Sequence, residues 1–250
     1  MIQKKDIRVD YSNSILAISH SLLKHFGCQS GYASLKVLDD ILDKQYENVV
    51  LMILDGMGMN VLARNLPENS FLRQHIICSI SSVFPSTTAA ATTAYHSGLP
   101  PIASGWLGWM SYFPQYDRII EVFRNNDYYT GEKLDTPLPA DTTLKYTSIY
   151  EKITKERPDI EYHRIFPDFE EGGCHSFEEE CERIAFYSQN NHKKKLIMAY
   201  WTEPDHTMHE QGVVSQDVQR LINDINDNIE KLSSQLKRYC FDYFCRSWYA

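Results

Sequence analysis

Three stretches of the chain carry side chains that could do chemistry at the end of a buried strand. Asp55 directly follows the apolar run Asn48-Val-Val-Leu-Met-Ile-Leu54. By itself it reads as a turn residue or helix cap. Phe84-Pro-Ser-Thr-Thr88 opens an alanine-rich stretch that runs to Gly98, which puts hydroxyls at the start of a helix. Backbone amides and the helix dipole favour an anion such as phosphate there, although an ordinary Ser/Thr cap uses the same residues. The third stretch, Glu203-Pro-Asp-His-Thr-Met-His209, follows the apolar run Leu196 to Trp201. Asp205 and His209 lie four residues apart, on one face of a helical turn, and can converge on one metal ion. Oxygen and imidazole ligands suit zinc, or manganese less selectively. Such a pair is common by chance; its place after a buried strand, with two polar strand ends upstream, is what points to metal.

Those residues need elements to hold them. The run Asn48 to Leu54 reads as a strand buried on both faces of a parallel sheet, and Lys195 to Trp201 as another. Asn60 to Leu66 looks helical and is stopped by Pro67; Ile76 to Phe84 suggests a further strand, closed by Pro85. Helices are expected over Thr88 to His96 and over Phe177 to Gln189. Ser215 caps a long amphipathic helix whose apolar face is Val218, Leu221, Ile222, Ile225, Ile229, Leu232 and Leu236. The stretch 99–170, crowded with Pro, Gly, Trp and Tyr, is expected as a loop-rich insertion or cap near the active edge. The alternation predicts a three-layer α/β/α sandwich with a mostly parallel central sheet, one domain over residues 1–250. In such folds ligands gather at the carboxyl ends of the strands.

The formal charge of −8 argues against a nucleic-acid surface, yet acidic balance is compatible with phosphate substrates where metal ions supply local positive charge. Met1 to Asp10 is polar and reads as no export signal, and the run Val49 to Leu54 is too short to span a membrane. Six cysteines without a C-x-x-C pair fit reduced thiols in a cytoplasmic protein. Cys174-His175 beside Cys181 fits a loop and a helix better than a metal site on ligand spacing.

Taken in order, Asp55, the stretch Pro85-Ser-Thr-Thr88 through Gly98, and Glu203-Pro-Asp205 with His209 resemble successive motifs of the nucleotide pyrophosphatase/phosphodiesterase branch of the alkaline-phosphatase superfamily. That family's nucleophile is a threonine ten positions before a glycine, a register that falls on Thr88 and Gly98, with Thr87 the neighbouring alternative. The resemblance implies a hydrolase of small phosphate esters working through a phosphothreonine intermediate and two divalent ions, zinc or manganese. It implies that Asp55 and the Thr88 oxygen bind one ion and that Asp205 and His209 bind the other. Family diesterases carry an asparagine three residues after the nucleophile; here it is Ala91, which weakens the cue for diesters and brings phosphomonoesters forward. Thr87, Ala91, Trp106 and Trp109 are candidate substrate contacts, the tryptophans with Tyr112 as an aromatic wall or as packing. No C-x-P-x-R segment is present, which disfavours a sulfatase. A phosphomutase-like relative and a non-catalytic α/β domain are the rival readings.

The resemblance also implies a further strand ending in Asp-His-Gly after the long helix, and a later histidine. Residues 237–250 carry neither and read as an aberrant tail. With one permitted choice of codons, removing a single adenine at Lys237 turns that tail into Lys-Asp-Thr-Val-Leu-Ile-Ile-Ser-Ala-Asp-His-Gly-Met. The expectation is a frameshifted chain, missing its C-terminal strands, that binds zinc weakly and is impaired as a hydrolase.

Overall fold

A computed structural model of the chain describes residues 9–44, 46–236 and, as backbone, 240–245. Helix α1 spans Ile15–His25 and α2 Lys36–Leu42; strand β1 is Asn48–Leu54, followed by α3 (Met59–Asn65) and α4 (Phe71–Gln74). Next come α5 (Thr88–Ser97), α6 (Pro101–Ser104), and the short strands β2 (Met110–Phe113), β3 (Arg118–Glu121) and β4 (Asn126–Asp127). The remainder is α7 (Ile149–Glu156), β5 (Glu161–Ile165), α8 (Phe177–Gln189), β6 (Lys195–Trp201), α9 (Asp205–Gln211), α10 (Gln216–Gln235) and β7 (Cys240–Cys245). The elements form two compact units, one of Met1–Leu35 and Ser81–Lys152, the other of Lys36–Ile80 and Ile153–Ala250.

The second unit holds a parallel sheet in the order β5-β6-β1-β7. Every residue of β1 is buried, as its unbroken apolar run requires of a strand covered on both faces. On one face Val50, Met52 and Leu54 pack with Ile197 and Ala199 of β6 and with Ile184 of α8 and Ile222, Ile225 and Ile229 of α10. The predicted stripe of α10 is that core face, Leu221 lying at its partly buried margin. Ser215 caps the helix, its Oγ accepting from the Val218 amide at 3.2 Å. Asn226, buried on the same helix, accepts from the Leu72 amide at 3.0 Å and so ties α10 to α4.

The first unit carries the antiparallel sheet β2-β3-β4 and the helices α1, α5 and α6. Its small core collects Ala89, Trp106, Phe113, Ile120, Val122 and Leu144. Helix α1 is buried from Ile15 to Leu23 and lies against α5.

The expected strand over Ile76 to Phe84 does not form. Within it Ser81 makes an isolated bridge to Ser14, exchanging backbone hydrogen bonds with Asn13 and Ile15, and no ladder extends from there. The stretch 99–170 is divided: 99–152 belongs to the first unit, while 153–170 belongs to the second and supplies its strand β5. The tail 237–250 lies partly outside the described residues; its backbone over Cys240–Cys245 pairs in parallel with β1. No helix among the described residues is long and apolar enough to cross a membrane.

Candidate active site

The carboxyl ends of β1 and β6 bring two of the predicted residues together within the second unit. Asp55, 3% exposed, directly follows β1; its amide donates to the Trp201 carbonyl at 3.0 Å, and its own carbonyl accepts from the Asp205 amide at 3.1 Å. The two aspartates thus sit on adjoining backbones although 150 residues separate them in sequence. Gly56 makes this approach feasible. Its φ is +74°, and a Cβ placed there would lie 2.8 Å from Asp205 Cα, 2.9 Å from Asp205 Cβ and 2.7 Å from Met208 Cε. Only a residue without a side chain fits between the β1 turn and α9.

The Asp55 carboxylate is held at both oxygens. Oδ1 accepts from the Gly56 amide at 3.1 Å and Oδ2 from the Tyr200 hydroxyl at 2.8 Å, a buried, charge-assisted bond. Tyr200→Phe removes this bond to a buried carboxylate, so we expect the unfolding free energy to fall by about 2 kcal/mol in urea titration. An unchanged midpoint would mean that water replaces the hydroxyl.

On α9, His209 Nε2 lies 3.4 Å from Asp205 Oδ2, as their spacing predicts. The imidazole is 78% exposed and Asp205 18%, so the pair opens to solvent. The helix start is tightened by Glu203, whose Oε2 accepts from the Thr207 amide at 2.9 Å. Oxygen and imidazole at this separation are chemically suited to a divalent cation. Among the described residues, no group of three or more His, Cys, Asp and Glu side chains is arranged to hold a metal ion. The donors present therefore fit a cation in kind, as a pair rather than a closed cage.

Thr87 and Thr88 stand at the head of α5 in the first unit. Thr87 is the N-cap: its Oγ1 accepts from the Ala90 amide at 3.2 Å and donates to the Leu107 carbonyl at 3.0 Å. Thr88 is the first helical residue, half-buried, and Gly98 closes the helix with φ +66°. Ala91 is buried on α5, at 1% exposure. Trp106 is buried too, its Nε1 donating to the Leu144 carbonyl at 2.8 Å, which gives its ring a packing role. Trp109 and Tyr112 are exposed; the Trp109 ring leans on Phe123 and carries the Arg124 guanidinium 5.6 Å above it.

The cysteine stretch resolves into separate environments. Cys174 and Cys181 are buried, and loss of solvent pushes the Cys174 thiol up to about 11 and the Cys181 thiol higher still. His175 projects into solvent beside Asp168, 3.1 Å away. Sequence reasoning overlooked Tyr200, whose hydroxyl near the end of an otherwise apolar strand was the available signal, and Gly56, whose place directly after Asp55 marked a sharp turn.

The type I phosphodiesterase/nucleotide pyrophosphatase family profile matches residues 49–242. Among solved structures, murine ectonucleotide pyrophosphatase/phosphodiesterase 5 is similar in fold, with TM-score 0.57 at 19% identity over 76% of this chain. The same mouse protein as an inactive threonine-to-alanine variant in complex with AMP gives TM-score 0.56 at the same identity and coverage. The chain spans about half the length of these structures, 52% of each. Comparison with curated proteins yields no match. With the profile covering more than three-quarters of its residues, the parallel α/β chain belongs to the type I phosphodiesterase/nucleotide pyrophosphatase family, a family of phosphoric ester hydrolases.

Proposed function

We propose a hydrolase of small phosphate esters, whether phosphodiesters, pyrophosphates or phosphomonoesters, with Thr88 as nucleophile and two divalent ions, zinc or manganese, its turnover impaired in this chain. The observation that carries this reading is the junction of Asp55 and Asp205 at the carboxyl ends of neighbouring parallel strands, with no room for a side chain at position 56. A strand-end cap would need neither a second acid nor a bare glycine between them.

Thr88 Oγ1 forms the new bond to phosphorus while the bond from phosphorus to the leaving oxygen breaks; water then cleaves the phosphothreonine. The inactive threonine variant of the mouse relative, bound to AMP, supports both a threonine nucleophile and a nucleotide-like substrate. The helix α5 start offers amide groups and a positive dipole end to a phosphoryl oxygen. Asp55 with Thr88, and Asp205 with His209, would each hold one cation, which when bound supplies the positive charge that lowers the hydroxyl pKa and stabilises the leaving oxygen. Trp109 is a candidate wall for an aromatic leaving group. Cysteine usage is the ground for a cytoplasmic location; we propose no nucleic-acid or membrane partner.

Calorimetric zinc titration tests the metal assignment. Wild-type chain is expected to bind weakly. Asp205→Asn and His209→Ala should weaken binding further by at least about tenfold, a lost ligand counting for no less than a lost outer-shell partner. Identical isotherms for wild type and both variants would favour the non-catalytic reading.

A further inference from the structure

Helix α5 ends in buried side-chain donors. The last carbonyls of a helix have no partner within it and usually turn to water. Here Ser19 Oγ, fully buried on α1, donates to the Tyr95 carbonyl at 2.9 Å and lies 3.2 Å from that of Ala94. The Lys152 ammonium, from α7, donates to the Ser97 carbonyl at 3.1 Å. His20, 3% exposed on α1, places Nε2 2.9 Å from the Gly98 carbonyl. The seat is close-fitting: a Cβ on Gly98 would lie 3.6 Å from His20 Cε1 and Nε2 and 3.3 Å from Ile149 Cγ2.

Hydrogen-bond bookkeeping fixes the form of the imidazole. A carbonyl only accepts, so Nε2 carries a proton toward Gly98. Nδ1 lies 2.8 Å from Ser30 Oγ, which also lies 2.8 Å from the Tyr32 carbonyl. The single Ser30 hydroxyl proton goes to Nδ1 when the ring is neutral and can turn to Tyr32 when the ring is charged. Around the ring stand Tyr32 from the following loop, 5.2 Å between centroids, Lys152 from α7, and Gly98 at the end of α5. Glu151, next to Lys152, is engaged by the Ser148 amide and hydroxyl. Burial holds His20 below the usual imidazole range, the Gly98 bond pulls upward, and the Lys152 charge adds to the depression.

We propose that His20, with Ser19 and Lys152, is a positioning residue for Thr88: by gripping the carbonyl end of α5 it sets the axial placement of the hydroxyl at the other end. This rests on the nucleophile reading above. A ten-residue helix is a stiff rod roughly 15 Å long, so a shift at one end is felt at the other. A displacement of about 1 Å at a reacting group can cost on the order of a hundredfold in rate.

Backbone amide shifts of Thr87 to Ala90, read by NMR in wild type, His20→Ala and His20→Gln, test the idea alongside turnover of an aryl phosphate diester. Glutamine keeps a donor for the Gly98 carbonyl without titrating. His20→Ala should move these amides and lower kcat by about tenfold to a hundredfold with KM little changed, and His20→Gln should restore both. The wild-type melting temperature should also fall more steeply than that of His20→Gln on acidification. Neutral His20 stabilises the fold fully above the ordinary imidazole range, and this is lost as pH falls through its lowered folded value. Amide changes confined to the neighbourhood of Gly98, with kcat at the wild-type level, would overturn the proposal. If wild type does not turn over the diester, the nucleophile reading fails while the amide shifts still decide whether the clamp reaches the Thr88 end. Should His20→Ala not fold, Lys152→Met, which removes the Ser97 contact, is read in the same way.

Discussion

Thr88→Ala is expected to reduce the residual metal-dependent turnover of an aryl phosphate diester by at least about a thousandfold in kcat/KM, roughly 4 kcal/mol of transition-state stabilisation. The size follows from the role: the hydroxyl oxygen is the atom that bonds to phosphorus, and no neighbouring group can replace it without moving the helix. Helix α5 itself should tolerate the change, because its cap is Thr87 and alanine is the best helix former. Thr87→Ala makes the matching control. It removes the cap at a cost of about 1 kcal/mol in stability and leaves the nucleophile in place. Turnover lost in Thr87→Ala and retained in Thr88→Ala would shift the register by one residue. Equal turnover in wild type and both variants would remove the threonine mechanism altogether.

The second large effect is structural. Gly56→Ala should cost about 3 kcal/mol of unfolding free energy. One part is the left-handed conformation, which penalises any side chain by roughly 1–2 kcal/mol. The other is overlap: three atoms of Asp205 and Met208 lie within 2.9 Å of the new methyl, and backbone cannot yield as a flexible side chain can. Relief would come by pushing α9 off the β1 turn, so the Asp205–His209 pair should move with it and zinc affinity should fall together with stability. A variant within about 0.5 kcal/mol of wild type, the range of an ordinary surface change, would mean that the two aspartate loops do not abut as described. A stable variant with lost zinc binding would instead separate local geometry from global stability.

Much of the second unit was legible in the chain. The strands over 48–54 and 195–201, the helix over 177–189 and the buried face of the helix capped by Ser215 all appear where the residues put them. Their signals are local: an unbroken apolar run, a period of 3.6, a serine whose hydroxyl reaches the third amide beyond it. The resemblance that selected Asp55, Thr88, Asp205 and His209 was equally a matter of order along the chain, and the family match over residues 49–242 spans all four.

What sequence could not decide is which distant segments complete one another. Ile76 to Phe84 has the composition of a strand and forms only a single bridge, at Ser81, whereas Glu161–Ile165, mixed in polarity, becomes a strand because β6 offers it an open edge. Trp106 and Trp109 read alike by residue type; only the Leu144 carbonyl and the surrounding core bury one and leave the other at the surface. The Tyr200 bond to Asp55 and the need for glycine at position 56 arise from groups about 150 residues apart along the chain. A chain encodes its own periodicity residue by residue, but a hydrogen-bond partner or a forbidden Cβ exists only once the backbone has returned to the same place.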